Sequence, residues 1–551
     1  MTSLCYLRSR RIVRRTAAAL FVAALAGCSS VATPGAGGRH PWTLPGHVRI
    51  GSSDEPDSLN PMYAHTDATD QLTPLLFAPL FRYDARGEFV PELATEVPTA
   101  RNGGISADSK TIVLHFRRNV TWADGAPLDA RDFRFTWHAV MNPHNSVKQR
   151  TGWDDIRAID LRDGDHTAVL HLREPSVAVL GILGEGGGSA VPPLPEHLLG
   201  HEPSLDRAAF NAAPLASGPF TLERWSHGSS LEFIANPRYW RGRPRLDRIS
   251  WKIVPNSETL LAQLQTHEID VYPDVVENQI ERARTVAGVA LDHRVLANVR
   301  HLEFNTRRPA LHDVRVRLAI AEAVDWARMN RTIYHGVNER ARSDVVPTSW
   351  AAPNLPFYPY DPRGAARLLD AAGFAARPGG VRARADGTAL RLTISTGTNK
   401  PQNEQAEVAM QQELRAVGIE LSVKNYPVSL LFARDGPLYG GSCDLSWTIQ
   451  TNGPDPDNEF LWASYAMPPN GANTTFLNDA EVTRDAHYAA RTFDRARRTA
   501  LYLDEERRLH ALAPAIFLYW QNGFSAYDDD LKNYRPAQYI SDQWNAYEWS
   551  I

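Results

Sequence analysis

Leu390-Arg391-Leu392-Thr393-Ile394, then Asn403 to Val417 closed by Gly418, then Ile419-Glu420-Leu421-Ser422-Val423: this stretch decides the fold class. Both short runs alternate apolar and polar side chains, which is the pattern of a strand with one buried face. The segment between them has helical length and ends on a glycine, a helix stop signal. A strand, a helix and a second strand joined by short links predict two parallel strands with a crossover helix, hence an α/β layer.

The flanking sequence fits that class. Val48-Arg49-Ile50 reads as a short strand running into the turn-rich Gly51–Pro61, and Thr111–Phe116 alternates as a strand. Asp129 can cap a helix through Val140, stopped by Asn142-Pro143, with Phe133, Trp137 and Val140 on one face. Ser257 is expected to cap a helix with Leu260, Leu261 and Leu264 inward. Asp313 is expected to cap another, with Val316, Ile320, Ala323 and Ala327 at helical spacing. Asp361-Pro362 opens a helix that Gly373 closes, and a long helix from Asp494 to about Leu512 leads into the apolar strand Ala515–Trp520. No internal repeat is visible.

The chain has 551 residues, 43% of them hydrophobic and 22% charged, which is a globular composition and enough chain for several cores. A net charge of −4 argues against a nucleic-acid binder. The first 27 residues contain five arginines and no acid, so the remainder is more negative still. That arginine-rich start, followed by the apolar run Thr16–Ala26, reads as a signal peptide over 1–27; the run is too short to span a bilayer. Leu25-Ala26-Gly27-Cys28 resembles a bacterial lipobox, which makes Cys28 the expected lipidation site and 28–42 a flexible tether. Ser9-Arg10-Arg11-Ile12-Val13 also resembles a twin-arginine export signal. With Cys5 removed and Cys28 lipidated, Cys443 is the one thiol left, so no internal disulfide is expected.

Catalytic signatures are missing: the sequence has no GxSxG, HExxH, GxxxxGK[ST] or CxxC. Gly184–Gly188 lacks the lysine and hydroxyl of a phosphate loop and reads as a flexible loop. His197 and His201 stand four apart but follow three prolines and have no third ligand in view, so no metal is expected there.

Several blocks resemble the bacterial extracellular solute-binding proteins of family 5, the oligopeptide-, dipeptide- and nickel-binding lipoproteins of ABC importers. Pro91-Glu92-Leu93-Ala94, the strand Thr111–Phe116 and Val120-Thr121-Trp122-Ala123-Asp124-Gly125-Ala126-Pro127 resemble one family block. Pro195-Glu196-His197-Leu198, Ser217-Gly218-Pro219-Phe220, Asn236-Pro237-Arg238-Tyr239-Trp240 and Phe304-Asn305-Thr306 with Asp313–Arg317 and Ala323–Asp325 follow in family order. The resemblance implies a two-lobed periplasmic-binding-protein-like α/β fold (type II, cluster C) with a third domain and a hinge. Lobe I would be 43–72, 217–298 and 510–551, the extra domain 73–216, and lobe II 299–509, with the hinge near Ala297–Asn305 and Ala513–Trp520. It also implies a monomeric, non-catalytic protein without a cofactor, tethered to a membrane, that passes a peptide or other small polar solute to permease subunits.

Peptide-binding members of that family place an aspartate three residues after a strand-end tryptophan, where it meets the peptide ammonium. Here Trp447-Thr448-Ile449-Gln450 puts a neutral amide at that position, with Asn452, Asp455 and Asp457 following. Either Asp455 or Asp457 supplies the carboxylate through a shifted loop, or the ligand has no free ammonium, as in a blocked peptide, a sugar, a metal chelate or another polar metabolite. His65-Thr66-Asp67 is expected to form the facing wall. A secreted hydrolase and a receptor-like lipoprotein without a transport role are the rival classes.

Overall fold

The computed structural model describes residues 38–551 apart from 64–65, 85–86, 148, 186–189, 399 and 540. The expected signal peptide and lipidation site Cys28, His65 and most of the glycine-rich loop therefore lie outside the described residues. The chain divides into two units, 1–43 and 44–551, and the elements named here belong to the second.

In chain order the strands begin with β1 (His47–Ser52), followed by the hairpin β2 (Phe81–Tyr83) and β3 (Phe89–Pro91). A three-stranded antiparallel sheet comprises β4 (Thr111–His115), β5 (Ile156–Arg162) and β6 (Thr167–Leu172), in the order β4-β6-β5. Then come β7 (Phe220–Ser226), β8 (Ser230–Ala235), β9 (Arg248–Ile253) and β10 (Val271–Tyr272). The chain continues through β11 (Val289–Phe304), β12 (Glu339–Arg340), β13 (Arg391–Ser395), β14 (Glu420–Val423), β15 (Leu445–Thr451) and β16 (Ala515–Asp528). Among the described residues eleven of these form one sheet, ordered β14-β13-β15-β11-β16-β10-β1-β9-β8-β7, with β12 added against β16.

The deciding stretch folds as expected. β13 and β14 pair in parallel from Arg391↔Glu420 to Ile394↔Val423, and the helix Pro401–Ala416 crosses between them. That helix buries Ala406, Met410 and Leu414, one per turn, against Leu392 and Ile394. β14 ends the sheet and buries only Leu421; the exposed Glu420 discourages further pairing at this edge.

At the centre β11 and β16 run antiparallel, 16 and 14 residues long. β16 runs well past the Ala515–Trp520 strand expected from sequence, and β11 was not anticipated as a strand. One end of the pair contributes Leu302, Ile516 and Leu518 to a core shared with the helices Val314–Ala323 and Pro401–Ala416. The other end contributes Phe524 and Ala526 to a separate cluster with Leu260, Leu261 and Leu264. Between the two ends the register slips at Val295/Val299 and again at Arg300/His301, so the long pair carries bulges at its middle.

The caps Asp129, Asp313, Asp361 and Asp494 all accept first-turn amides. Two expectations need correction. The helix Ser257–Gln265 is capped by Asn256, whose side chain takes the Thr259 amide, and not by Ser257. The helix begun at Asp313 stops at Ala323, because Asp325 caps a new helix, Trp326–Ile333, so Ala327 belongs to the second.

Candidate functional site

The carboxyl ends of parallel strands are the usual place for a ligand in an open α/β sheet. Here β13 and β15 are parallel neighbours, and the chain leaving β15 lines two sizeable openings. Two cavities meet around this point, and a third lies further back along β15. One, of 410 Å³, is lined by Gln450–Asn458, Phe460, Leu461, Asp344–Val346 and Val177–Ala178. A second, of 370 Å³, is lined by Asp67, Gln71, Asp274, Arg294, Leu296 and Asn298, and shares Thr451 with the first. A third, of 180 Å³, lies over Trp447, Thr448 and Ile449 with Arg300, Thr396 and Lys400.

The expected site residues are thus distributed, not gathered in one pocket. Trp447 is buried, stacks on Trp326 at 6.1 Å and accepts the Thr396 hydroxyl at its carbonyl, 2.8 Å away. Thr448 Oγ1 lies 3.1 Å from His301 Nε2, and Ile449 is exposed. Gln450 donates to Asn452 Oδ1 at 2.5 Å, and Asn452 donates to the Asp344 carbonyl at 2.6 Å. The Gln450 amide is therefore engaged in holding the loop. Thr66 caps the helix Asp67–Leu76 and donates to Asp57, so its hydroxyl serves the fold, whereas Asp67 reaches the 370 Å³ cavity.

The two aspartates of the loop differ sharply. Asp455 receives both arms of the Arg498 guanidinium, at 2.8 and 2.6 Å, and Arg498 itself packs over Trp350 and Tyr502. Asp457 has no arginine or lysine in contact among the described residues. It opens into the cleft, yet the surrounding walls and then the neighbouring Asp455 push its carboxyl up to about 6. Behind the loop, the helix Arg495–Leu512 buries Glu505 and Glu506. Both are held well above the usual carboxylate range, first by burial and then by Asp344.

Sequence reasoning missed Asp274, Arg294, Asp344, Arg300 and Lys400. In the second cavity Arg294 Nη2 donates to both oxygens of Asp542, 2.7 Å to each, which leaves Asp274 beside Asp67 in a largely acidic recess. Enclosure is the main reason Asp274 is raised, opposed by Arg294 and reinforced by Asp67. His197, which could have suggested a metal, lies 2.9 Å from Asp124.

Residues 88–472 match the bacterial extracellular solute-binding proteins, family 5 Middle. The oligopeptide-binding protein AppA of Bacillus subtilis is 24% identical over 498 residues, covering 89% of each chain. Its structure in complex with a nonapeptide superposes with a TM-score of 0.73 at 23% identity, over 92% of this chain and 99% of that one. NikA from Brucella suis, solved with Fe(III)-EDTA, gives a TM-score of 0.79 at 22% identity, over 91% and 99%.

Proposed function

The chain belongs to the bacterial extracellular solute-binding proteins of family 5, and from that premise we propose that it captures a peptide or peptide-like solute for an ABC importer. The family is one of binding proteins and not of enzymes, and its members act outside the cytoplasm. In this reading the solute is held between two lobes with the boundaries given above, Cys28 carries the lipid, and the monomer delivers its cargo to permease subunits.

The observation that carries the peptide reading is Asp457. A buried or enclosed ammonium needs a countercharge. Gln450 is neutral and engaged with Asn452, and Asp455 is already satisfied by Arg498. Asp457 faces the 410 Å³ cavity with no cation in contact among the described residues, so it is placed to meet the ammonium that Gln450 cannot. The shifted-loop alternative is thereby preferred to a neutral pocket. An anionic chelate is disfavoured, because Asp67, Asp274 and Asp457 would all repel it.

Calorimetry with trialanine to pentaalanine, each with a free or an acetylated N-terminus, tests the proposal. Free-amine peptides should bind, and acetylation should weaken them at least tenfold. Binding of neither form would overturn the peptide reading.

A further inference from the structure

The chain on either side of β15 forms a fourth opening, of 500 Å³, within the range of about 300–1,000 Å³ usual for small-molecule pockets. Phe432, Arg434 and Tyr439 come from the segment that enters β15, and Phe460, Pro468 and Pro469 from the segment that leaves it. The opening adjoins two of the cavities described above. Phe460 also lines the 410 Å³ cavity that contains Asp457, and Phe432 also lines the 180 Å³ cavity over Trp447.

Two of these rings are exposed where folding alone would hide them, Phe460 at 56% and Phe432 at 42%. Fourteen large apolar side chains stand exposed among the described residues. The four that line any of these openings, Val428, Phe432, Ile449 and Phe460, all belong to the stretch 428–460. A gathering of that kind at the mouth of a cleft marks a binding surface, whereas scattered single side chains do not.

The backbone beneath the rings is pinned. Asn473 is fully buried and donates through Nδ2 to the carbonyls of Ala463 and Leu477, at 3.1 and 3.0 Å, and the Ala472 amide donates to the Phe460 carbonyl at 3.0 Å. On the other wall Leu431 is buried with Leu438 and Cys443, and the Phe432 and Tyr439 rings meet edge-on at 6.3 Å. A ligand group entering here meets side chains carried on ordered chain, so little further ordering opposes binding.

Whatever covers Phe460 must also reach the cavity of Asp457, because the ring belongs to both. A solute held at Asp457 does so; a flat protein surface does not. Arg434, exposed and without an ion pair among the described residues, disfavours a cationic group beside the rings and is suited to lie over an aromatic one. We infer that this pocket receives a bulky apolar side chain of the solute, an aromatic one by preference. The inference rests on the peptide reading for the rest of the ligand; the demand for an apolar group comes from Phe432 and Phe460 themselves.

The test is calorimetry with the best-bound of trialanine to pentaalanine and its analogues carrying one phenylalanine or one lysine at each position in turn. In the wild type at least one phenylalanine analogue should bind at least tenfold more tightly than the alanine peptide, and lysine at that position should bring no such gain. Phe432→Ala and Phe460→Ala, both at exposed positions, should each cut that phenylalanine-over-alanine ratio at least threefold. No preference for phenylalanine at any position, an equal gain from lysine, or a ratio unchanged in either variant would overturn the inference while leaving peptide capture standing. If no peptide binds, thermal stabilisation by N-acetylphenylalaninamide decides. A shift lost in both variants would sink the peptide reading and keep the pocket; no wild-type shift, or one that either variant retains, would overturn the pocket too. A wild-type dimer in sedimentation that Phe460→Ala dissolves would also overturn it, by assigning the rings to a second copy of the chain.

Discussion

Asp455 and Asp457 stand two residues apart, and their substitution should have unlike consequences. Asp457→Asn removes a countercharge from the cleft and breaks no ion pair among the described residues, so the fold should be untouched. A hydrogen bond to a charged group contributes about 1.5–3 kcal/mol, which translates to roughly ten- to hundredfold weaker binding of free-amine peptides. Asp455→Asn instead strands the buried Arg498 and should cost stability, about 3 kcal/mol, before it affects any ligand. Calorimetry and urea denaturation on both variants separate the cases; a stable Asp455→Asn that fails to bind would reverse the two roles. The distinction was half legible in the sequence. Gln450 in the expected aspartate position is visible at once, as are the later aspartates. That Arg498, 43 residues away on a helix, had already taken Asp455 was not visible, since nothing in local spacing pairs them. Arg300 left a fainter trace, as a charged residue inside the otherwise strand-like Val299–Leu302.

At the scale of single elements, the helix Arg495–Leu512 holds two glutamates in its buried face behind the loop. A carboxyl whose folded pKa lies above its unfolded value binds more protons in the folded state. Its contribution is then intact below the unfolded value of about 4.3 and erodes as pH rises toward the folded one, by up to about 1.4 kcal/mol per pH unit. Glu506 fits that case through burial and its contact with Asp344. Glu506→Gln keeps a donor toward Asp344 and cannot ionise. It should raise the unfolding free energy at pH 7 by about 1 kcal/mol or more, with the gain vanishing near pH 4. Denaturation curves from pH 4 to 8 check this; a gain independent of pH would refute it. The ends of such helices were readable because capping is local chemistry, as Asp129, Asp361 and Asp494 demonstrate. The β13–helix–β14 unit was readable for a similar reason, its periodicity changing within one short stretch. β16 was not. Asn522-Gly523 reads as a turn, yet these residues continue the strand opposite Val295 and Arg294. A Cβ on Gly523 would come within 2.9 Å of Leu296, so close packing on the bulged part of β11 explains the glycine, and pairing across the sheet overrides the turn signal.

For the whole molecule the central question is how capture becomes a signal to a transporter. Removing the acceptor for lipid, Cys28→Ser, should move the protein from the membrane fraction to the soluble one without changing its melting temperature; unchanged fractionation would count against the anchor. Closure is the larger claim. The proposed lobes are joined through β11 and β16, and the bulge at Val295–Val299 leaves Leu296 and Asn298 out of the β11–β16 register while they line the acidic cavity. A break in the ladder is where dihedral change costs least, and only a few residues need to absorb it. A solute held by Asp457, with Asp67 and Asp274 in the neighbouring cavity, would touch both sides of that break. Such a ligand favours the closed form by the contacts that it makes only there. Saturating peptide should therefore reduce the radius of gyration in small-angle scattering. At a hundredfold excess over Kd it should also stabilise the fold by about 2.7 kcal/mol. Stabilisation without any change in scattering would mean that the cleft binds as a fixed cavity, and that the transporter reads something other than closure.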